Sequence, residues 1–215
     1  MKKIVLLLFT ACALQVSAQD TGDMSIQAVM DACISMRDAV ASNDKAAIRQ
    51  SAEQLRACNT ANFNSLRCKD DSIASLNGHL LFNDEFADSI AEGKDVLQRA
   101  DELNRTTADR GQTADGSILT KTCYVKAGKS TKYTFASKGH QEIAVVAEAG
   151  GLVTMKIHVT NRDGLDERHD DTKNVKKGMP QRKTTFELPT DRRNIVELEV
   201  INCGKKDCSF VVISN

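Results

Sequence analysis

The chain has 215 residues, with 29 basic and 29 acidic side chains, so its formal net charge at neutral pH is zero. A chain of this length forms one large domain or two small ones. Tryptophan is absent and only 2 tyrosines occur, which argues against a carbohydrate-binding platform of exposed aromatic side chains.

The first 18 residues have the pattern of a signal peptide. They begin with two lysines, continue with an apolar core at residues 4–9, and end in the small residues Val16-Ser17-Ala18 before Gln19. The apolar core is too short to span a bilayer, which takes about 20 apolar residues. We therefore predict export to the periplasm or the extracellular space and no transmembrane segment. A lipoprotein anchored at Cys12 is the weaker alternative, since Phe9 stands where such signals carry an aliphatic residue.

Residues 19–105 are predicted to form an antiparallel helical domain. Apolar residues recur at three- and four-residue steps in two segments, as on one face of a helix. The two stripes are Ile26, Val29, Cys33, Met36 and Val40, then Ile48, Ala52, Leu55 and Cys58. Ser42-Asn43-Asp44 ends the first segment and caps the second. After a loop, a short helical piece at 72–76 and a third helix beginning after Asn83 are predicted.

The polar, glycine-containing residues 106–117 are predicted to be a linker. After them the spacing of apolar residues changes from the helical period to the two-residue period of strands. Seven strand-like runs follow within residues 118–215: 123–125, 132–135, 143–147, 152–160, 184–188, 195–201 and 209–213. Many short strands with glycine between them predict an antiparallel β-sandwich of the jelly-roll kind. The predicted fold class is α+β, a helical unit followed by this sandwich.

The β half carries a family resemblance in four segments. They are KAGKSTKYTFASKGHQEIAVVAE, LVTMKIHVTNRDG, TTFELPTDRRNIVELEV and CSFVVIS. Gly128, Tyr133 and Phe135 match the opening strand of the bacterial pre-peptidase C-terminal domain, and Asp163-Gly164 matches its mid-domain turn. Residues 121–214 therefore resemble that family, which implies a non-catalytic jelly-roll accessory module that in some members binds calcium. The junction Ala18-Gln19 resembles that of exported proteins of the Bacteroidetes.

Six cysteines follow the leader, an even number that predicts disulfides in an oxidising compartment. They are Cys33, Cys58 and Cys68 in the helical half and Cys123, Cys203 and Cys208 in the β half. Each half holds an odd number, so complete pairing requires at least one bond between the halves. Cys58 with Cys68 and Cys33 with Cys123 is one arrangement. Cys33 with Cys58, leaving Cys68 to cross, is the other.

The stretch NCGKKDCSF places Cys203 and Cys208 on either side of a four-residue turn. We predict that they pair across a hairpin, with Ile201 opposite Phe210. In that hairpin Val211 and Ile213 face the sandwich core. Phe210 then lies on a second apolar face, where the helical half is expected to dock.

Two surface sites are predicted from charge. Oxygen ligands around a turn suggest a calcium site, although an Asp-Gly turn also explains them; these residues are Asn161, Asp163, Asp166, Asp170 and Asp171. A basic set suggests a site for a polyanion, although charged loops are also ordinary solvated surface; these residues are Lys173, Lys176, Lys177, Arg182 and Lys183.

No catalytic residue is predicted, since the hydrolase elbow, zinc-helix and phosphate-loop motifs are all missing. The sequence therefore favours an exported, disulfide-stapled binding or accessory protein that needs no cofactor apart from the suggested calcium. Its partner is a protein or a glycan, with no sequence-specific binding of nucleic acid. The alternative is a secreted effector, such as a protease inhibitor or a toxin-like factor, with 176–180 as the inhibitory loop.

Overall fold

A computed structural model describes residues 25–58, 60–62, 66–68, 118–170 and 178–215. The predicted signal peptide, the helical segments beyond residue 71 and the linker at 106–117 lie outside these ranges.

Two helices begin the described chain, at the positions that the apolar stripes predict. α1 spans Ile26–Ser42 and α2 spans Lys45–Ala57. The Ser25 side chain caps α1 by accepting from the backbone N–H of Ala28 at 3.2 Å. Asn43 ends α1 in the left-handed conformation, with φ 53°. The Asp44 carboxylate then caps α2 by accepting from two backbone N–H groups at 3.0 and 3.1 Å.

Within the described ranges, ten strands form two sheets of five. Their bounds are β1 Ala61–Asn62, β2 Arg67–Cys68, β3 Leu119–Val125, β4 Ser130–Ser137, β5 Gly139–Ala147, β6 Val153–Thr160, β7 Asp166–Asp170, β8 Gln181–Leu188, β9 Asn194–Asn202 and β10 Cys208–Ser214. Sheet I has the order β1-β3-β10-β5-β8, and sheet II has the order β2-β4-β9-β6-β7. All pairings are antiparallel apart from the short parallel contact of β1 with β3.

The eight strands from β3 to β10 have jelly-roll topology. Successive strands alternate between the sheets, except that β6 and β7 form a hairpin within sheet II. The predicted antiparallel sandwich is therefore confirmed, and each of the seven predicted runs overlaps a strand. The remaining strand of the eight, β7, was not predicted, because its sequence DERHD has almost no apolar residue.

The core lies between the sheets, where alternate residues of each strand point inward. Val196, Leu198 and Val200 of β9 and Phe210 of β10 are completely buried there. The rings of Tyr133 and Phe210 meet edge to face across the two sheets, with their centroids 6.2 Å apart. The period-two pattern of β9 therefore identifies its core face correctly.

The outer face of sheet I is also apolar, and α1 covers it. Ala144 and Val146 of β5 and Val211 and Ile213 of β10 are completely buried against α1. The Arg37 guanidinium of α1 donates to the Gln181 side chain at the start of β8, at 2.9 Å. The described part of the molecule is thus three layers deep: helices, sheet I and sheet II.

The predicted hairpin between the last two strands is wrong. β9 lies in sheet II and β10 in sheet I, so Ile201 is not opposite Phe210; its neighbours are Ser130 and Thr154. The faces of β10 are also reversed, because Phe210 lies in the core and Val211 lies under α1. Both faces of β10 are apolar, so its sequence pattern could not distinguish them. The expectation that helices dock on an apolar face of β10 is correct, but the docking face is the other one.

Among the described residues, neither helix is long and apolar enough to cross a membrane.

Candidate functional site

A pocket of about 650 Å³ lies at one end of the sandwich. It is formed where the β5–β6 connection, residues 148–152, meets the β9–β10 connection, residues 203–207, beside Asn202. Ligand pockets in proteins commonly have volumes of about 300–1,000 Å³. We call this cavity the end pocket.

The first wall of the end pocket is a tight turn after β5. The Gly151 N–H donates to the Glu148 carbonyl at 2.9 Å, and Gly150 has a positive φ of 79°. The Glu148 carboxylate accepts from the backbone N–H of Ser209 at 2.7 Å, so it fastens the wall to β10. Burial raises the pKa of the Glu148 carboxyl, and the Ser209 bond offsets part of that rise.

The second wall is held by side chains that bond its backbone. Asn202, 1 % exposed, accepts from the Gly204 N–H at 2.8 Å and donates to the Lys206 carbonyl at 2.7 Å. The Asp207 carboxylate accepts from the Ala127 N–H at 2.9 Å and from the Tyr124 hydroxyl. The bond to Asp207 raises the pKa of Tyr124 to about 12. This wall is therefore preorganised rather than loose.

The two walls are joined to each other and to a third segment, residues 178–180. The Cys203 N–H donates to the Leu152 carbonyl at 2.8 Å. Gly178, at φ 71°, packs so closely that a β-carbon there would lie 2.9 Å from the Cys203 β-carbon. Met179 exchanges two backbone hydrogen bonds with Val153, both at 2.9 Å, and its side chain is 42 % exposed. Leu152, in the lining of the end pocket, is exposed, and so is Met179 on the adjoining segment.

The Cys208 thiol packs against Gly151 of the first wall. Burial, together with the nearby Glu148 carboxylate, raises the pKa of the Cys208 thiol to about 12, so this thiol stays protonated and unreactive at neutral pH. The pocket lining within the described chain contains no histidine. His158, for example, lies six residues along β6 from Leu152, which is about 20 Å at the rise of a strand.

The cysteines that were predicted to form disulfides lie in different layers of the molecule. Cys33, Cys58, Cys203 and Cys208 are thiols in the structure. Cys203 is exposed and follows β9 of sheet II, whereas Cys208 is buried in the core and begins β10 of sheet I, so the predicted hairpin between them does not form. Cys33 and Cys58 share the apolar layer between the helices and sheet I. Cys123 lies in the sandwich core, and the backbone of Cys68 pairs with that of Tyr133.

The residues predicted as calcium ligands lie around the β6–β7 hairpin. Asn161 uses its side-chain oxygen to accept from the Asp163 and Leu165 N–H groups, at 2.9 and 3.0 Å, which closes the turn. Asp163 forms an ion pair with Arg192 at 3.0 Å, and Asp166 bonds His158 at 2.8 Å. The side chain of Asp170 and all of Asp171 lie outside the described part of the chain. Among the side chains that are described, none form a group of three or more that could hold a metal ion.

The predicted polyanion site is described only in part. Lys173, Lys176 and Lys177 lie outside the described residues. Arg182 and Lys183 lie on β8, where the Lys183 ammonium is 3.2 Å from the Glu142 carboxylate. This site and the calcium site both stay predictions.

Sequence reasoning did not find the end pocket, although two signals for it are present. Gly150-Gly151 and Asn202-Cys203-Gly204 are turn-forming sequences at the ends of strands. Locally they indicate only turns, because no short-range pattern shows that residues more than fifty positions apart lie at the same end of the sandwich.

The comparisons with known proteins give only distant structural likenesses. No protein-family model and no curated protein matches the chain. The enzymatically active domain of tailspike protein 4 from bacteriophage CBA120 is 8 % identical over 46 % of this chain, with a TM-score of 0.30, and the match spans only 17 % of that chain.

Two further solved structures are similar over about half of this chain. A mutant of PliG-Ec, a periplasmic inhibitor of g-type lysozyme from Escherichia coli, is 18 % identical over 49 % of this chain and 93 % of its own, with a TM-score of 0.30. The xylan-binding domain CBM22-1 of Paenibacillus barcinonensis Xyn10C is 12 % identical over 51 % of this chain and 77 % of its own, with a TM-score of 0.27. At these scores the ligand of this chain has to be inferred from its own site.

Proposed function

We propose that this protein is an exported, non-enzymatic binding protein of the cell envelope or extracellular space. It holds a segment of a protein partner in the end pocket. The observation that carries this proposal is the pocket itself, a cavity of about 650 Å³ between two walls that are already fixed by hydrogen bonds. A preformed site loses little conformational entropy when its ligand binds.

Binding is favoured over catalysis because both carboxylates at the end pocket already hold its walls. The Glu148 and Asp207 carboxylates accept backbone hydrogen bonds that hold the walls. The Cys208 thiol has a pKa of about 12, so it provides no thiolate. The exposed Cys203 thiol lines the pocket, but the described lining contains no histidine that could act as its base.

A protein segment is favoured over a glycan by the kind of surface that the end pocket offers. Its described lining contains no aromatic side chain on which a sugar ring would stack. Leu152 is exposed at the pocket for contact with an apolar side chain. Lys205 and Lys206 are exposed and form no ion pair with any residue of the described ranges, so they are available to a carboxylate. The expected partner segment therefore carries an apolar side chain next to an acidic one.

Site-specific photo-crosslinking tests the proposal. A photoreactive amino acid is placed at Leu152, and in a matched control at Ile195, which is 42 % exposed at the other end of β9. Irradiation in the native extracellular or envelope fraction should give a protein adduct from position 152 alone, and K205E/K206E should weaken it. Equal labelling from both positions, or none, overturns the proposal. Retention on a glycan array that depends on Lys205 and Lys206 would show that the ligand is a sugar.

Protease inhibition is the second candidate, and one observation favours it. Met179 is exposed, and the backbone of its segment is held by Val153 and by the bond from the Ala147 N–H to the Pro180 carbonyl at 2.8 Å. Rigid exposed segments suit inhibitors because little entropy is lost on binding. Incubation with a protease panel should then reveal one enzyme whose inhibition is lost in M179A. An M179A protein that inhibits as well as the wild type excludes this segment.

A further inference from the structure

Two buried thiols face the same apolar layer between the helices and sheet I. Cys33 is on α1 and completely buried, and Cys58, directly after α2, is 7 % exposed. Both belong to one cluster of packed side chains, together with Val29 of α1 and Ala144 of sheet I. A cysteine in such a layer is either a small apolar residue or half of a disulfide.

The antiparallel arrangement of α1 and α2 places these two cysteines at similar distances from the turn that joins the helices. Cys33 stands 10 residues before Asn43, and Cys58 stands 14 residues after Asp44. At the rise of an α-helix these spans are about 15 Å and about 21 Å from the turn, so the two residues differ by about one helical turn. α1 and α2 contact each other. The two thiols are also close enough to interact electrostatically. Burial raises the pKa of Cys33 most, and a negative charge on Cys58 raises it further.

We propose that Cys33 and Cys58 are joined by a disulfide in the exported protein. Both are thiols in the structure, so the bond requires a disulfide-bearing oxidant of the export compartment. One cysteine thiolate attacks the oxidant's disulfide and forms a mixed disulfide; the second thiolate then displaces the oxidant, which leaves as a dithiol. Two electrons and two protons pass from the cysteine pair to the oxidant.

The timing of this oxidation follows from burial. Burial raises the pKa of both thiols, and only the thiolate attacks a disulfide. The bond therefore forms while the helices are not yet packed on sheet I, and packing then protects it. This inference depends on export but not on the end pocket, so its failure would leave the proposed binding function untouched.

The cleavage sites for trypsin suit a direct test, because each of the six cysteines after residue 18 falls on its own tryptic peptide. The protein is recovered from an oxidising compartment, its thiols are blocked with N-ethylmaleimide in denaturant, and the digest is mapped without reductant. We expect the peptide ending at Arg37 to be linked to the peptide 57–67, and reduction to separate them. A C203S variant should retain the linked pair.

Two results overturn the inference. One is recovery of Cys33 and Cys58 both as N-ethylmaleimide adducts in protein from the oxidising compartment. The other is a linkage of either cysteine to a different peptide, such as Cys58 to Cys68 or Cys33 to Cys123. Since the map is made on the wild-type chain, it does not depend on whether a cysteine variant folds.

Discussion

The Cys208 sulfur lies against the backbone of Gly151, at a distance that only glycine permits. An ideal β-carbon at Gly151 would stand 2.5 Å from Cys208 Sγ and 3.0 Å from the Ala147 β-carbon. The first wall of the end pocket is therefore packed onto the beginning of β10.

This contact predicts that G151A destabilises the fold. Overpacking of this kind costs about 1–3 kcal/mol of unfolding free energy, which denaturant titration measures. C208A should restore part of the loss, because it removes the sulfur that the new methyl group meets. G150A is the matched control: no atom lies near its β-carbon position but its φ is positive, so C208A should not rescue it. A G151A protein as stable as the wild type would contradict the packing.

A second prediction concerns the pH dependence of stability at Glu148. Its pKa in the folded protein is raised from the ordinary value of 4.5, so the folded state binds more protons than the unfolded state. The contribution of Glu148 to stability therefore falls as the pH rises from about 4.5 through the folded pKa. E148Q lacks this titration, so its stability should increase relative to the wild type over that range. Unfolding measured at several pH values checks this, and a constant difference would exclude it.

The hydrogen bond between Tyr124 and Asp207 predicts a pH dependence of stability with the opposite sign. The hydrogen bond from Tyr124, and next that from the Ala127 N–H, lowers the pKa of Asp207 from its ordinary value of 3.8. The contribution of Asp207 to folding stability is therefore present above that pH and is lost as the pH falls through the folded pKa. We expect D207N to loosen residues 203–207 at neutral pH and to match the wild type in acid. Hydrogen exchange of the Ala127 amide reports this. Y124F, which leaves the Ala127 bond in place, should show a smaller effect.

A third region, at the opposite end of the sandwich, depends on one buried amide. Gln141 is 1 % exposed and donates to the Ser214 hydroxyl at 2.7 Å and to the Asn215 side chain at 2.8 Å. Q141A leaves these groups without their donor, which costs about 1–3 kcal/mol. T185A, on the exposed face of the neighbouring strand, is the control and should change stability little. Equal unfolding midpoints for the two variants would contradict the role of Gln141.

The sequence predicted those elements whose local pattern and environment agree. α1 has an apolar stripe, a serine cap and an asparagine end, so each local signal indicates the same helix. Seven strands follow a period of two or a continuous apolar run. β7 is different: its charged residues form a strand because Asn161 closes the turn that pairs them with β6. Charged residues are common on edge strands, where they discourage further pairing.

The candidate site was beyond prediction for a different reason. Glu148 and Ser209 are 61 residues apart, and their hydrogen bond depends on how strands alternate between two sheets. Asn202 looks like a turn residue in the sequence, yet it is buried and bonds the Val125 carbonyl across the sandwich at 3.3 Å. Such contacts follow from topology, which short-range patterns do not encode.

The position of β10 has a consequence for how the molecule is made. This last strand lies between β3 and β5 in sheet I, and its residues fill both the core and the layer under α1. Sheet I therefore cannot close before β10 has inserted between two strands that precede it by more than sixty residues.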